Sequence, residues 1–180
     1  MTILQQTSLV NVKVVPALIE QEPILSNLLE LYAHDFSEYM DLKLGPDGRF
    51  GYEHLRLYWT EPDRYPFLIL VNGDLAGFVF VQKGSQISAD ADVWDVAEFF
   101  IVRGSRRLGV GTKAAHEVWK RFAGKWEVRV INRNKEANEF WARAIEMFLG
   151  RTISSTPFEK NGRAWQLFSF ESPARRRSTH

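Results

Sequence analysis

Residues 93–102, VWDVAEFFIV, form a mostly apolar run that leads through a glycine-punctuated turn into a helix. The helix is expected over about 109–123, with Val110, Ala114, Val118 and Phe122 as its apolar stripe and Gly124 closing it. Residues 126–131 then alternate as a strand. A strand–helix–strand succession implies a parallel pair with a right-handed crossover, and the apolar run implies a first strand covered on both faces. The rest of the chain signals hairpins instead. Asn72-Gly73-Asp74 joins expected strands at 66–71 and 75–83, and Asn161-Gly162 lies between expected strands at 151–155 and 164–170.

Alternation of Val10, Val12 and Val14 predicts a strand over 8–15. Pro23 opens a helix carrying Ile24, Leu25, Leu28, Leu29 and Tyr32. Residues 40–51 hold four Gly or Pro residues and read as a flexible connection. A short helix over 52–59 is stopped by Pro62. A last helix is expected over 134–149, with Ala137, Phe140, Trp141, Ala144, Ile145 and Phe148 inward and Gly150 as its cap. The order β-α-α-β-β-β-α-β-α-β-β predicts an α/β fold: a mixed, mainly antiparallel central sheet with helices on both faces. A single domain is expected over 1–172, followed by a basic tail over 173–180 with Arg175, Arg176 and Arg177.

The 180 residues are 45% apolar and 25% charged, which excludes global disorder. No apolar run approaches membrane-spanning length, and residues 1–10 lack the pattern of a secretory signal. There is no cysteine, so disulfides, thiolate metal sites and a covalent cysteine intermediate are excluded. His34, His54, His116 and His180 fall in no metal-binding spacing. A cytoplasmic, metal-free protein is expected, with no membrane partner.

The chemistry concentrates at residues 102–112, VRGSRRLGVGT. Glycines here let backbone approach a ligand, and the free N–H groups of a helix N-terminus favour an anion. Arg106 and Arg107 add charged donors. A P-loop reading fails because Val110 stands where the phosphate lysine is needed. A dinucleotide reading needs an acidic residue at the end of the next strand, which instead reads Ile131-Asn132-Arg133.

Arg106-x-x-Gly109-x-Gly111 resembles motif A of the GNAT N-acetyltransferase superfamily. Residues 98–102 resemble that family's fourth strand, and Asn134-x-x-Ala137-x-x-Phe140-Trp141 its following helix. The resemblance implies a GNAT-like fold and acetyl-CoA as co-substrate. It implies that the backbone of Arg107, Leu108, Gly109, Val110, Gly111 and Thr112 holds a pyrophosphate. Ile101 and Val102 would pair with the pantetheine, with the Val102 N–H polarising the thioester. Asn134 would bond the pantetheine or cap its helix. Phe140 and Trp141 would wall the thiol end or pack in the core, core packing being the favoured role for Phe140.

Without cysteine, direct attack by a primary amine in a ternary complex is expected. Glu98 is the candidate base, since it shares a strand face with Phe100 and Val102 and its burial would raise its pKa. Its structural alternative is pairing with an arginine, and Asp95 is the reserve base. The family's usual tyrosine is replaced by Trp141, and all five tyrosines precede residue 66. An indole N–H does not release its proton near neutral pH.

The charge is uneven. Residues 1–90 hold 6 Lys and Arg against 12 Asp and Glu, and residues 91–180 hold 17 against 10. The acidic residues Glu30, Asp35, Glu38 and Asp41 predict a cationic acceptor, with Asp35, Glu38 and Asp41 as its contacts. The acceptor is expected to be a small-molecule or peptide amine, and the acidic first half argues against nucleic acid. A non-catalytic CoA-binding or adaptor module of the same fold is the alternative.

Overall fold

The computed structural model describes residues 10–173. The expected basic tail beyond Pro173 and the first residues of the expected N-terminal strand lie outside them. Strands β1 (Val12–Pro16), β2 (Arg64–Val71), β3 (Asp74–Lys83), β4 (Trp94–Ile101), β5 (Gly124–Ile131), β6 (Thr156–Lys160) and β7 (Arg163–Ser172) form one sheet in the order β1-β2-β3-β4-β5-β7-β6. Every neighbouring pair is antiparallel except β4–β5. Helices α1 (Glu22–Phe36), α2 (Leu57–Thr60), α3 (Val110–Arg121) and α4 (Lys135–Leu149) complete the expected order of elements.

The helices cover opposite faces of the sheet. Leu25, Leu28 and Leu29 of α1 and Tyr58 of α2 bury against Leu68, Phe78, Phe80 and Phe100. Val110, Ala114, Val118 and Trp119 of α3, with Trp141, Ala144 and Ile145 of α4, bury against Ile69, Val79, Val96, Val128 and Phe168. Alternation along each strand sends side chains to both layers. No helix among the described residues is long and apolar enough to cross a membrane.

Both expected hairpin turns are present. Asn72 and Gly73, and again Asn161 and Gly162, adopt positive φ, as two-residue turns between twisted strands require. The second hairpin corrects one expectation. Its first strand is Thr156–Lys160, whereas residues 151–155 form a connection. A two-residue turn fixes the register, so the strand must abut it. Pro157 is tolerated because β6 is an edge strand, where a missing N–H can face solvent.

The expected helix over 52–59 is also shorter. Only Leu57–Thr60 is helical, preceded by turns with three-residue hydrogen bonds such as Leu55 N–H to Tyr52 O. Residues 40–51 are anchored to α1. The Glu30 carboxylate accepts the N–H groups of Phe50 (2.8 Å) and Gly51 (3.0 Å) and the Arg49 Nε (3.4 Å).

Two local irregularities shape β4. The β3–β4 register steps from Phe80↔Glu98 to Val81↔Val96, leaving Ala97 as a bulge. Val96 therefore faces α3 and α4, while Glu98 and Phe100 face α1 and α2. Further along, Gly77 crosses β4 so closely that a Cβ there would overlap the Phe100 carbonyl oxygen. Gly77→Ala is expected to lower unfolding free energy by about 1–3 kcal/mol through overpacking, measured by urea denaturation.

Candidate active site

β4 and β5 pair only through Trp94↔Trp126 and Asp95↔Glu127. Beyond those residues the strands diverge, leaving a gap bordered by backbone. The Val102 N–H, expected to polarise a thioester, donates instead to Ala76 O of β3 at 2.9 Å. By ladder alternation, residues 98, 100 and 102 direct their polar groups at β3, while the N–H groups of Phe99 and Ile101 face the gap. The gap-facing donor is thus displaced by one residue, from Val102 to Ile101.

At the open end of the gap the chain makes a 3-10 turn at Arg103–Ser105 and enters α3. Gly109 caps α3 with φ of 74°. Lys113 is the first residue whose N–H returns to the helix, reaching Gly109 O at 3.1 Å. The preceding N–H groups, from Leu108 to Thr112, have no acceptor among the described residues. Gly111 matters sterically: a Cβ would sit 3.0 Å from the Phe140 ring. This lets α4 approach the start of α3.

The two arginines of the loop play different parts. Arg106 folds back, with Nε donating to Ile101 O (2.7 Å), Nη2 to Asp35 (2.5 Å), and its guanidinium over the Phe100 ring. It holds the loop against β4 and α1. Arg107 is 87% exposed at its side chain, with only a 3.5 Å contact to the equally exposed Glu136. Its charge therefore remains available at the mouth of the gap.

Glu98 lies on the α1/α2 face of β4 and borders a cavity of about 350 Å³ lined by Tyr52, Tyr58, Arg64, Gln82 and Arg129, among others. The Tyr52 hydroxyl donates to its carboxylate at 3.2 Å, and the Tyr32 hydroxyl lies close by. Burial pushes the Glu98 pKa up. The two tyrosines and Arg129 oppose that rise without cancelling it. The tyrosines themselves are pushed well above their ordinary range by burial and by Glu98, so they remain protonated donors. Asp95, the reserve base, is 1% exposed and already accepts Gln82 Nε2 (2.9 Å) and Arg129 Nη2 (2.8 Å).

On the opposite face of β4, Asn134 caps α4, its Oδ1 accepting the Ala137 N–H at 2.9 Å. Trp141 is 7% exposed, with Phe99 edge-on at 5.0 Å and Trp119 at 6.1 Å between ring centroids. Phe140 is only half-buried and stacks on Phe99. The expected roles are thereby exchanged: Trp141 is the core residue and Phe140 the more accessible one.

The model of the acetyltransferase (GNAT) family matches residues 25–146. The chain belongs to the GNAT family. Solved structures agree in fold at low identity. An acetyltransferase from Thermus thermophilus is similar with a TM-score of 0.62 at 16% identity, covering 89% of this chain and 97% of that one. Salmonella typhimurium yncA, solved with its cofactor acetyl-CoA, gives 0.59 at 11% identity, over 90% and 94% of the two chains. Arabidopsis thaliana NAA60, in complex with a bisubstrate analogue, gives 0.59 at 14%, over 89% and 98%. A search of curated proteins finds no match.

Within this candidate site the three acidic candidates part company. Asp35 is engaged by Arg103 (2.7 Å) and Arg106, which outweigh its burial and hold its pKa low. Glu38 and Asp41 are exposed, Glu38 lying against the Tyr39 hydroxyl. Sequence reasoning missed Tyr32, Tyr52 and Arg129. The alternation of β5 signals that Arg129 shares a face with Glu127, but nothing local ties Tyr32 or Tyr52 to residue 98. Trp141→Ala is expected to cost about 3–5 kcal/mol of stability, as a core aromatic deletion does, measured by chemical denaturation.

Proposed function

We propose that this chain is an N-acetyltransferase that moves the acetyl group of acetyl-CoA to a primary amine by direct attack in a ternary complex. The observation that carries the reading is the divergence of β4 and β5, with unengaged backbone donors at its open end and a carboxylate beside it. The N–H groups of Leu108, Gly109, Val110, Gly111 and Thr112 suit a diphosphate, reinforced by the start of α3 and by Arg107. The exposed edge of β4 at Phe99 and Ile101 suits an extended amide arm in the manner of an added strand. Asn134 retains its amide NH₂, and half-buried Phe140 can border the arm.

The chemistry assigns one proton to Glu98. An amine arrives mostly as ammonium, and Glu98 takes a proton from it, freeing its lone pair. The nitrogen attacks the thioester carbon, and the Ile101 N–H faces the side where the oxyanion develops. The C–N bond forms, the C–S bond breaks, and the thiolate leaves. A thiol has a pKa of about 8.5, so departure needs no strong acid, and the thiolate takes the attacking nitrogen's second proton directly or through water. Tyr52 holds the Glu98 carboxylate in place through its hydrogen bond.

Calorimetry tests the cofactor half. Arg107→Glu is expected to weaken acetyl-CoA binding at fixed salt by about tenfold or more, the scale of a charged hydrogen bond. Unchanged binding removes Arg107 from the site. Kinetics test the base. Glu98 works only when deprotonated, and burial raises the pH at which that occurs. The acid limb of kcat/KM is therefore expected above the ordinary glutamate range, with activity rising as pH passes through it. Glu98→Gln should abolish that limb and lower kcat by about 10²–10⁴. Tight acetyl-CoA binding with no turnover of any amine would establish the binding-module alternative.

A further inference from the structure

The cavity beside Glu98 adjoins a second one. The second, of about 130 Å³, is lined by Met40, Arg129, Phe158, Lys160, Arg163 and Trp165, among others, and Arg129 borders both. Lys160 Nζ reaches the Gln86 carbonyl at 3.3 Å, and Gln86 lines the first cavity, so this contact stands at the boundary between the two. In register, Phe158 pairs with Trp165 and Lys160 with Arg163, which puts all four on one face of the β6–β7 hairpin. The rings of Phe158 and Trp165 stack at 22° and form a flat wall.

The charges of this groove are sorted by position. Glu98 stands at one end. The second cavity contains three cationic side chains and no carboxylate among its lining residues. Asp95 neutralises one face of Arg129 through Nη2, but the Arg129 Nε is buried with no acceptor among the described residues. The indole N–H of Trp165, a residue that lines the same cavity, is likewise buried with no acceptor among the described residues. Glu127, a buried acid on the same face of β5 as Arg129, is turned to the hydroxyls of Ser85 and Ser88. A buried donor without an acceptor is costly, and an oxygen that reached either one would relieve it. Meanwhile two of the four acids that suggested a cationic acceptor are engaged elsewhere, Glu30 by the backbone of Phe50 and Gly51 and Asp35 by Arg103 and Arg106, while Glu38 and Asp41 stay exposed.

We propose that the acceptor is a primary amine that also carries an anionic group, a carboxylate or a phosphate, its nitrogen at Glu98 and its anion among Arg129, Lys160 and Arg163. The proposal rests on the acetyl-transfer reading above and deepens it. The anion end sets binding and register, and the amine end carries the reaction. The Phe158–Trp165 wall would accept apolar or planar matter between them.

The test is a matched series of primary amines on one scaffold, bearing a carboxylate, a phosphate, a neutral amide or a second ammonium. Initial rates are measured by release of free thiol from acetyl-CoA, and binding of each amine to the CoA-loaded protein by calorimetry. The anionic arms are expected to exceed the amide by at least tenfold in kcat/KM, with the diammonium arm lowest, and to bind correspondingly tighter. The better of the carboxylate and phosphate arms identifies the anion. In Lys160→Ala/Arg163→Ala the ratio of anionic to neutral kcat/KM should fall about tenfold, a loss of charged hydrogen bonds. Turnover with equal rates for all arms, or a preference for the diammonium arm, overturns the proposal while leaving acetyl transfer intact. Absence of turnover with anion-selective binding overturns acetyl transfer and keeps the groove's selectivity. Absence of any amine binding overturns the proposal.

Discussion

The ion pair between Asp95 and Arg129 sits where the sheet opens, and the architecture of the site depends on it. Asp95 is the last β4 residue to pair with β5, and Arg129 lies two residues beyond its partner Glu127. Gln82 of β3 donates to the same Asp95 oxygen, so one buried carboxylate ties three strands together at the apex of the gap. Burial raises the Asp95 pKa, and Arg129 and Gln82 oppose that rise. Such pairs contribute little net stability compared with a well-packed apolar replacement, yet removing one partner costs about 3–5 kcal/mol. Its contribution here is therefore geometric. It ends the pairing of β4 and β5 at a fixed residue and gives Arg129 one defined orientation over both cavities.

A single extra residue then divides the labour between the two faces. Without the bulge at Ala97, Val96 and Glu98 would share a face, and either a valine would enter the cavity or the carboxylate would enter the α3/α4 core. With it, Phe99 meets Phe140 and Trp141 on one side while Glu98 and Phe100 meet Tyr32 on the other. Gly77 and Gly111 perform a related service for close approach. One lets β3 cross β4 without a side chain, and the other lets the Phe140 ring rest on the start of α3.

These dependencies explain what can be read from the sequence. The order of elements is legible because helical stripes, strand alternation and two Asn-Gly turns are local signals. Glu98 and the loop at 106–112 are legible for the same reason: strand parity and helix-start chemistry lie within a dozen residues. The strand at 156–160 is hidden because Pro157 reads as a breaker until its edge position is known. The partner of the Val102 N–H is hidden because which backbone groups face a neighbouring strand depends on register, a tertiary property. Tyr32 and Tyr52 lie 66 and 46 positions before Glu98, and no local pattern links them to it.

The same distinction governs charge. Counting by halves makes the first part of the chain acidic and the second basic, which suggests two ligands of opposite sign. Folding pairs the halves with each other first: Asp35 takes Arg103 and Arg106 across nearly 70 residues of chain. Within the first half, Glu22 takes Arg56 and Glu61 takes Arg64. Such pairs commit charges to internal cohesion, not to ligand recognition. What a ligand meets is the remainder left by that pairing. In the groove beside Glu98 that remainder is a set of donors: Arg129 Nε, the Trp165 indole, and the side chains of Lys160 and Arg163. The sign of a binding surface follows from which charges remain uncommitted after folding, and here it is opposite to the sign of the acidic segment that runs beside it.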